Sequence, residues 1–264
     1  MTYKAQFQSK KSIFFSGLNE YLAKASPGTG AANCNPAHDE DFSISFWCQS
    51  GTTSAEETIF ANQYSSGSVP RGFRVGVYSG GNLRFDAYGE SGSARIRYSI
   101  FTRPFAQYHP VFWHGVVTYN GASSADISSA NLYIDGGLVE ATGSGAIGTI
   151  NNTSEAIEIG RRVSSGSGSS IGGYSGYFEG SLTHISFWNK NLSSEEVREI
   201  YLGRDGCQGP GNLLRHSAAS NLKGWWIADN ASDAFDGTIH DQSGNGKNMT
   251  ANNLASTEHY FGGP

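Results

Sequence analysis

The sequence is poor in cysteine, and this shortage excludes several classes of protein. Its 264 residues include three cysteines, Cys34, Cys48 and Cys207, which cannot all pair with one another within one chain. None of them stands in a CxxC or Cys/His spacing, so the sequence favours neither a zinc site nor a small domain stapled by disulfides. We therefore expect three reduced and partly buried thiols.

Charge and long apolar runs are also scarce. Charged residues make up 16% of the chain, and the formal net charge is −5. Nucleic acids and anionic membranes are bound through basic surfaces that displace counterions, so we expect neither as a partner. The first residues contain no apolar run suited to a cleaved signal, and no later run could cross a bilayer. We expect a protein that stays in a reducing compartment or is released without a cleaved signal.

Glycine and aromatic residues are plentiful, and apolar residues alternate with polar ones. In DFSISFWCQS, Phe42, Ile44 and Phe46 fall on one side of an extended chain, as in a strand with one face on a core. Similar segments follow at short intervals, and Asp135-Gly136 is the pair that a type I′ hairpin turn prefers. This pattern predicts an all-β sandwich or jelly roll.

One short helix interrupts the predicted strands. In LSSEEVREIYLG, Ser193 and Glu196 have the spacing of a capping box, and Gly203 suits the position after the last turn. The Gly/Ser-rich segment 163–176 is read as a long surface loop, because strand-like sequence resumes directly after it. Residues 1–264 are therefore predicted to form a single domain.

Several segments follow one another between residues 12 and 203, and they read SIFFSGLNEYLAK, FSISFWCQS, VFWHGVVTYNG with NLYIDGGLV, and GSLTHISFWNKNLSSEEVREIY. In this order they resemble laminin-G-like domains of the concanavalin A-like lectin/glucanase superfamily, whose fold is a jelly-roll sandwich of two antiparallel sheets. The order and spacing of these motifs carry the resemblance more than any one of them. It implies a concanavalin A-like jelly-roll fold for this part of the chain.

A further stretch, WWIADNASDAFDGTIHDQSGNGKNMT, resembles the strand that usually opens such a domain, although here it follows the helix. The first and last strands of a sandwich can be neighbours, so residues 222–253 are predicted to return beside residues 12–22 and complete the main sandwich of residues 12–203. This permuted order also resembles structural proteins of tailed-phage particles. That resemblance implies a virion protein, either a capsid decoration or a fibre or tail component, assembled in the host cytoplasm against other virion subunits or copies of itself.

Catalytic carboxylates are hard to find in this pattern. Retaining glycosidases need two carboxyl groups about 5–5.5 Å apart, which on a strand requires an even spacing. Glu155 and Glu158 have an odd spacing, whereas Asp39 and Asp41 precede a strand in a polar loop. We predict a protein without enzymatic activity, and a glycoside hydrolase is the third hypothesis after a virion protein and a lectin.

Oxygen-bearing side chains are concentrated in one loop near the end of the chain. Calcium takes six to eight oxygen ligands, but aspartate and asparagine are also ordinary turn residues, so both interpretations stay open. A calcium-assisted lectin or adhesin that binds cell-surface glycans, outside the cell or on its surface, is the second functional hypothesis. The candidate calcium ligands are Asp229, Asp233, Asp236, Asp241 and Asn245.

Tyrosines in or near loops are the candidate glycan contacts, because their rings combine apolar area with a polar group. Tryptophans and histidines within strand patterns are expected to be buried instead, and these are Trp47, Trp113, Trp188, Trp225, His114 and His184. The candidate ligand-binding residues are Tyr64, Tyr88, Tyr108, Tyr174 and Tyr177.

Overall fold

The computed structural model describes residues 12–25, 27–37, 39–50, 56–66, 69–78, 81–88, 94–99, 112–121, 129–144, 156–163, 173–203, 209–228 and 236–254. The strands are β1 (Ile13–Ser16), β2 (Tyr21–Lys24), β3 (Phe42–Ser50), β4 (Glu57–Ser66), β5 (Val69–Tyr78), β6 (Asn82–Tyr88), β7 (Ala94–Ser99), β8 (Trp113–Tyr119), β9 (Ala130–Ile134), β10 (Gly137–Leu138), β11 (Ala141–Ser144), β12 (Ile157–Ile159), β13 (Arg162–Val163), β14 (Tyr174–Ser175), β15 (Glu179–Trp188), β16 (Leu222–Trp226), β17 (Thr238–Ile239) and β18 (Met249–Asn252). The α-helix is α1 (Ser194–Leu202), and short 3-10 turns lie at Ala31–Asn33, Leu213–Arg215 and Ala219–Asn221.

Within the described ranges the strands form two large antiparallel sheets. The seven-stranded sheet has the order β1, β15, β3, β8, β9, β10, and β16 also pairs with β15. The nine-stranded sheet has the order β11, β7, β6, β5, β4, β12, β2, β18, β17, while β13 and β14 form a separate ribbon. The predicted fold class, a jelly-roll sandwich with one short helix, is confirmed.

The main core lies between the two sheets and follows from the alternation of each strand. Phe42, Ile44 and Phe46 of β3 are fully buried there, on the predicted face. The Phe42 ring stacks on the Phe187 ring of β15, with centroids 5.8 Å apart. The Phe60 ring of β4 lies 6.0 Å from the Phe187 ring. Each such ring stabilises the fold by roughly 1.5–3 kcal/mol through the area removed from water.

The helix is capped as the sequence predicts. The Ser193 side chain accepts a hydrogen bond from the Glu196 backbone, and the Glu196 carboxylate accepts one from the Ser193 N–H at 2.9 Å. Gly203, with φ 65°, ends α1. The helix buries Val197 and Ile200 against the outer face of the seven-stranded sheet, so this face is covered.

The hairpin between β9 and β10 shows why its turn has an Asp-Gly sequence. Asp135 and Gly136 have φ values of 51° and 76°. Positive φ at both central residues is what a type I′ turn requires, and aspartate and glycine adopt it at low cost. A side chain at Gly136 would also meet the Tyr201 ring at 2.9 Å, so this turn packs directly against α1.

The segment that follows the helix contributes strands to both sheets. β16 pairs with β15 beyond the point where β1 ends its pairing, so β1 and β16 share one edge of β15. β18 pairs with β2, with Thr250 opposite Ala23, and the Lys247 ammonium group donates to the Asn33 side chain at 2.6 Å. Both ends of the described chain are therefore held in the same sandwich.

The Gly/Ser-rich segment 163–176, predicted as a surface loop, begins and ends in the β13–β14 ribbon. Val163 pairs with Tyr174, and Arg162 pairs with Ser175. The Gly176 carbonyl accepts a hydrogen bond from Thr58 N at 2.9 Å, which fixes the ribbon beside the start of β4. In the described part of the chain no helix has the length and apolar character needed to cross a membrane.

Candidate functional site

The outer face of the nine-stranded sheet carries a cluster of charged side chains. Phe73, Val75 and Val77 of β5 and their partners in β6 point into the core, so the residues between them point outward. Arg74 of β5 is directly opposite Asp86 of β6 in the ladder. Because paired residues of antiparallel strands lie on the same face, the two side chains meet on the outer surface of the sheet.

Asp86 is the anchor of this cluster. Its carboxylate accepts a hydrogen bond from the Arg74 Nε on one oxygen and from the Arg84 Nε, at 2.6 Å, on the other. Asp86 has no exposed surface. Burial acts to lower the pKa of Arg84, but the charge and hydrogen bond of Asp86 and the charge of Glu56 outweigh it, so this pKa lies above its ordinary value.

Glu56 joins the cluster from the segment just before β4. Its carboxylate contacts the guanidinium NH1 atoms of Arg74 at 3.0 Å, Arg84 at 3.1 Å and Arg162 at 2.7 Å. Arg162 also donates from Nε to the Ser175 hydroxyl at 3.2 Å, which connects the cluster to the ribbon. We call the set Glu56, Arg74, Arg84, Asp86 and Arg162 the arginine–acid network.

The network is largely removed from water, and this is costly for charged groups. The Arg74 side chain is 8% exposed and the Arg84 side chain 13%, whereas Glu56 is 31% exposed. Buried ion pairs cost about as much in lost hydration as they gain from attraction, so they are weak devices for stability. Networks of this kind occur both in structural roles and at functional sites, so the outward-facing network is a candidate binding surface.

The surface around the network combines glycines of β5 with an exposed aromatic ring. Gly72 and Gly76 flank Arg74 on β5, and a shallow open depression with about 10 Å³ of enclosed space is lined by Gly76, Arg84 and Asp86. The Arg84 guanidinium lies 4.5 Å from the centre of the Tyr78 ring, and Tyr78 is 36% exposed. An enclosed volume of roughly 10–15 Å³ is needed for one water molecule, so a sugar would lie on this surface and not inside a pocket.

Two further polar side chains lie on the same face as Arg74, on either side of Gly72 and two residues along β5. Tyr88 is opposite Gly72, and its pKa is raised to about 12 by burial and then by the charge of Asp86, so its hydroxyl stays protonated. Gln63 of β4 is also opposite Gly72, and it is 6% exposed. Its buried Oε1 atom has no hydrogen-bond partner in the described part of the chain. An unpaired buried acceptor of this kind costs about 1–3 kcal/mol.

A second charged pair occupies the same face, two strands from Arg74. Glu158 of β12 is opposite Ala61 of β4, which is in turn opposite Arg74. The Glu158 carboxylate accepts two hydrogen bonds from Arg161, at 3.1 and 2.6 Å, and the Arg161 guanidinium stacks on the Tyr21 ring. This pair is balanced in charge and both members are buried, so it adds polar surface without adding net charge.

The tyrosines predicted to contact a glycan have different positions. Tyr88 is buried, at 6% exposure, beside the arginine–acid network, and Tyr177 is half-buried next to β15. Tyr64 lies in β4 and Tyr174 in β14, but the structure describes only the backbone of these two residues, and Tyr108 is outside the described residues. Tyr78, which the sequence reasoning did not select, is the tyrosine that borders the network with an exposed ring.

The residues predicted to bind calcium are described only in part. Asp229 and Asp233 lie outside the described residues. The Asp241 carboxylate accepts backbone hydrogen bonds from Trp225, Ser243 and Lys247 at 2.8–2.9 Å. Both of its oxygens therefore organise the turn that follows β17.

Asn245 and Asp236 also make local contacts. Asn245 donates from Nδ2 to the Leu222 carbonyl at 2.9 Å, and Asp236 accepts from Thr238 N at 2.9 Å. Among the described residues, no group of three or more histidine, cysteine, aspartate or glutamate side chains is arranged to hold a metal ion. Calcium binding by this loop stays a prediction.

The histidines and tryptophans of the seven-stranded sheet are buried, as predicted. His114 Nε2 lies 3.1 Å from the Ser45 hydroxyl, and its ring packs on Trp47 with centroids 5.2 Å apart. His184 accepts a hydrogen bond from the Trp225 indole at 3.3 Å. Burial lowers the pKa of His114 to about 3, and burial together with His114 lowers that of His184 to about 3, so both rings are neutral structural groups.

Two of the four carboxylates considered for catalysis are held by structural contacts. Asp41 accepts a hydrogen bond from Gly121 N at 3.0 Å, and Glu158 is paired with Arg161. Asp39 is an exposed residue of the loop before β3, and Glu155 lies outside the described residues. In the arginine–acid network, Glu56 and Asp86 each accept hydrogen bonds on both oxygens from guanidinium groups.

Comparison with known proteins assigns the class. Residues 26–198, about two thirds of the chain, match the Laminin_G_3 family of the concanavalin A-like lectin/glucanases superfamily. The chain belongs to this family. No curated protein matches the sequence significantly.

Solved structures share the fold at low sequence identity. A candidate carbohydrate-binding protein from Bacteroides ovatus has a TM-score of 0.59 and 16% identity over 94% of this chain and 60% of that protein. The chain thus spans less than two thirds of that relative. The IT-sialidase CBM40 of Ruminococcus gnavus, bound to α2,3-sialyllactose, has a TM-score of 0.50 and 16% identity over 74% of this chain and 99% of that domain.

Proposed function

We propose that this protein is a non-catalytic carbohydrate-binding domain and that the arginine–acid network on the nine-stranded sheet is its binding site. The observation that carries the proposal is the outward-facing, largely buried network of Arg74, Arg84, Asp86, Glu56 and Arg162. Membership of a lectin-type family supports the same class of ligand. The hypothesis of a carbohydrate-binding lectin therefore replaces the virion hypothesis as the main one.

The chemistry of the network suits sugar hydroxyl groups. Each hydroxyl donates one hydrogen bond and accepts up to two, so two neighbouring hydroxyls are matched by an acceptor beside a fixed donor. Arg84, held in place by the buried Asp86, provides a fixed donor, and a charged donor roughly doubles the strength of each hydrogen bond. The exposed Tyr78 ring, held by Arg84, offers an apolar surface for the C–H face of a sugar.

The same geometry supports a binding function without catalysis. A glycoside hydrolase needs one carboxylic acid that donates a proton to the leaving group. Glu56 and Asp86 accept guanidinium hydrogen bonds on all their oxygens, so neither is positioned as a proton donor. We accordingly assign no enzymatic activity to this site.

The proposal is tested on a glycan array, followed by calorimetric titration of the saccharides that bind. We expect Arg84→Ala to weaken binding at least tenfold, because one charge-assisted hydrogen bond contributes about 1.5–3 kcal/mol. Tyr78→Ala should weaken it while leaving the ion pairs of Arg84 with Glu56 and Asp86 in place. Arg198→Ala, on the exposed side of α1, is the control that removes the same type of side chain elsewhere. Binding that survives Arg84→Ala and Tyr78→Ala would place the site elsewhere.

Three earlier hypotheses stay predictions with their own tests. A capsid, fibre or tail role predicts that the protein is recovered with purified particles from its source, which mass spectrometry would detect. A calcium site predicts that calcium raises the melting temperature over EDTA, and that Asp236→Asn abolishes this difference. A glycan-binding role on the cell surface or outside the cell predicts recovery in those fractions instead.

A further inference from the structure

The arginine–acid network holds a carboxylate in the position where a ligand anion would bind. Three guanidinium groups, from Arg74, Arg84 and Arg162, converge on Glu56 at 2.7–3.1 Å. Planar guanidinium groups that converge in this way form the usual protein site for a carboxylate or sulfate group. In this structure the chain itself supplies the bound group.

Glu56 is also the member of the network that can leave at the lowest cost. Its side chain is 31% exposed, whereas Arg74 is 8% exposed and Asp86 fully buried. After its departure Arg74 and Arg84 would still pair with Asp86, and Arg162 would still donate to Ser175. If the Glu56 side chain moved away, its carboxylate would be exposed to water. The guanidinium donors of Arg74, Arg84 and Arg162 that now contact this carboxylate would then be free to bind another anion at the same position.

The charge of the network favours an acidic replacement. Three arginines and two carboxylates leave one net positive charge with Glu56 in place, and two when it moves away. Glu57, the next residue, does not cancel this charge, because it is opposite the core-facing Val77 and acts on the pKa of the buried Cys48 thiol. A neutral sugar offers nothing that replaces the Glu56 carboxylate, whereas a uronic or sulfated sugar does.

We propose that Glu56 is a built-in competitor of the ligand, and that the site prefers saccharides bearing a carboxylate or sulfate group, which displace the Glu56 side chain from the three arginines. This inference rests on the proposed carbohydrate-binding function and specifies its ligand class. The exchange of one carboxylate for another preserves the ion pairs of the network. Affinity is therefore reduced by the competition and is set by the contacts that the rest of the saccharide makes.

The test compares wild-type protein with Glu56→Gln and Glu56→Ala, using glucuronate, glucose and inorganic sulfate as probes in calorimetric and NMR titrations. Loss of the competing carboxylate should tighten glucuronate binding roughly tenfold, in line with one charge-assisted hydrogen bond, and leave glucose binding unchanged. Glu140→Gln, at an exposed position after β10, is the control with the same charge change. Melting curves of both Glu56 variants establish that they are folded.

The outcomes separate this inference from the proposed function. Weaker glucuronate binding by both Glu56 variants, as for Arg84→Ala, would show that Glu56 positions the arginines for the ligand and would overturn the competitor role. Unchanged glucuronate binding would also overturn it, while glucose binding at the network would leave the proposed function intact. If no sugar binds, sulfate-induced shifts of the arginine side-chain signals in Glu56→Gln alone would still support the competitor role, and their absence would refute it.

Discussion

The two buried histidines should make the fold sensitive to mild acid. His114 and His184 both have folded-state pKa values of about 3, against an ordinary value of 6.5. Below pH 6.5 the unfolded chain binds a proton at each site that the folded protein does not bind. Stability therefore falls as pH drops from 6.5 toward 3, and it is fully retained above 6.5.

The size of this effect follows from the pKa difference. At pH 5 each histidine lies 1.5 units below its ordinary pKa, which corresponds to roughly 2 kcal/mol of lost stability, or about 4 kcal/mol for the pair. This is a large fraction of the 5–15 kcal/mol by which native domains are typically stable. Glu20 and Glu196, whose pKa values are lowered, add their own losses only below their ordinary value of 4.5, so they do not contribute between pH 6.5 and 5. A variant that lacks both rings separates His114 and His184 from the other five histidines of the chain.

The assay is urea unfolding at pH 7.5, 6.0 and 5.0, followed by tryptophan fluorescence. A double variant, His114→Gln with His184→Asn, removes both titrating rings, and asparagine tolerates the positive φ of 47° at position 184. We expect the double variant to be less stable at pH 7.5 but to show a much flatter pH dependence. Equal wild-type stability at pH 7.5 and 5.0, or an undiminished pH dependence in the double variant, would refute the reasoning.

Three further substitutions test the local structure. Ser193→Ala removes the cap of α1 and should lower stability by about 1 kcal/mol in urea unfolding. Gly115→Ala would bring a methyl group to 2.4 Å from the Phe46 ring, so overpacking should cost roughly 1–3 kcal/mol and lower the melting temperature. Asp241→Ala leaves three backbone N–H groups without their acceptor and should cost about 2–3 kcal/mol in EDTA, as measured by thermal unfolding.

Each of these substitutions has a clear contrary result. A Ser193→Ala variant as stable as wild type would mean that the capping box is not formed in solution. A Gly115→Ala variant with an unchanged melting temperature would show that β8 is not packed against the aromatic core as described. An Asp241→Ala variant that is destabilised in calcium but not in EDTA would show that the carboxylate acts through a metal ion and not through the turn.

Local features of the fold were predictable because short-range physics determines them. The alternation of Phe42, Ile44 and Phe46 identifies the core face of β3, since successive side chains of a strand point to opposite sides. The spacing of Ser193 and Glu196 identifies the start of the helix for the same kind of local reason. Alternation also placed Arg74 and Asp86 on outward-facing positions, and this was the signal that could have pointed to the network.

The assembly of the site was not predictable, because its members come from distant parts of the sequence. Glu56, Arg84 and Arg162 are brought together by the order of strands in the nine-stranded sheet and by the ribbon after β12. Alternation gives the face of a residue but not its neighbour two strands away. Burial is equally non-local, so the sequence could not say which of the candidate tyrosines is exposed, and Tyr88 is enclosed beside Asp86.

The β15 strand shows a second limit of sequence reasoning. His184 has a positive φ of 47° in the middle of this strand, where its register with β3 shifts between Thr183 and Ser186. Non-glycine residues rarely adopt such a conformation, and a bulge inside a long alternating segment leaves no signature in the sequence. The position of His184 beside Trp225 therefore emerges only from the structure.

The measurement that tests the central claim most directly is an NMR titration of the isotope-labelled protein with a panel of neutral and acidic saccharides. The account predicts shifts of the Arg74 and Arg84 side-chain signals and of the Gly76 amide, and predicts that Arg84→Ala abolishes them. Shifts confined to residues 236–248, or shifts that persist in Arg84→Ala, would contradict the claim that the arginine–acid network is the carbohydrate site.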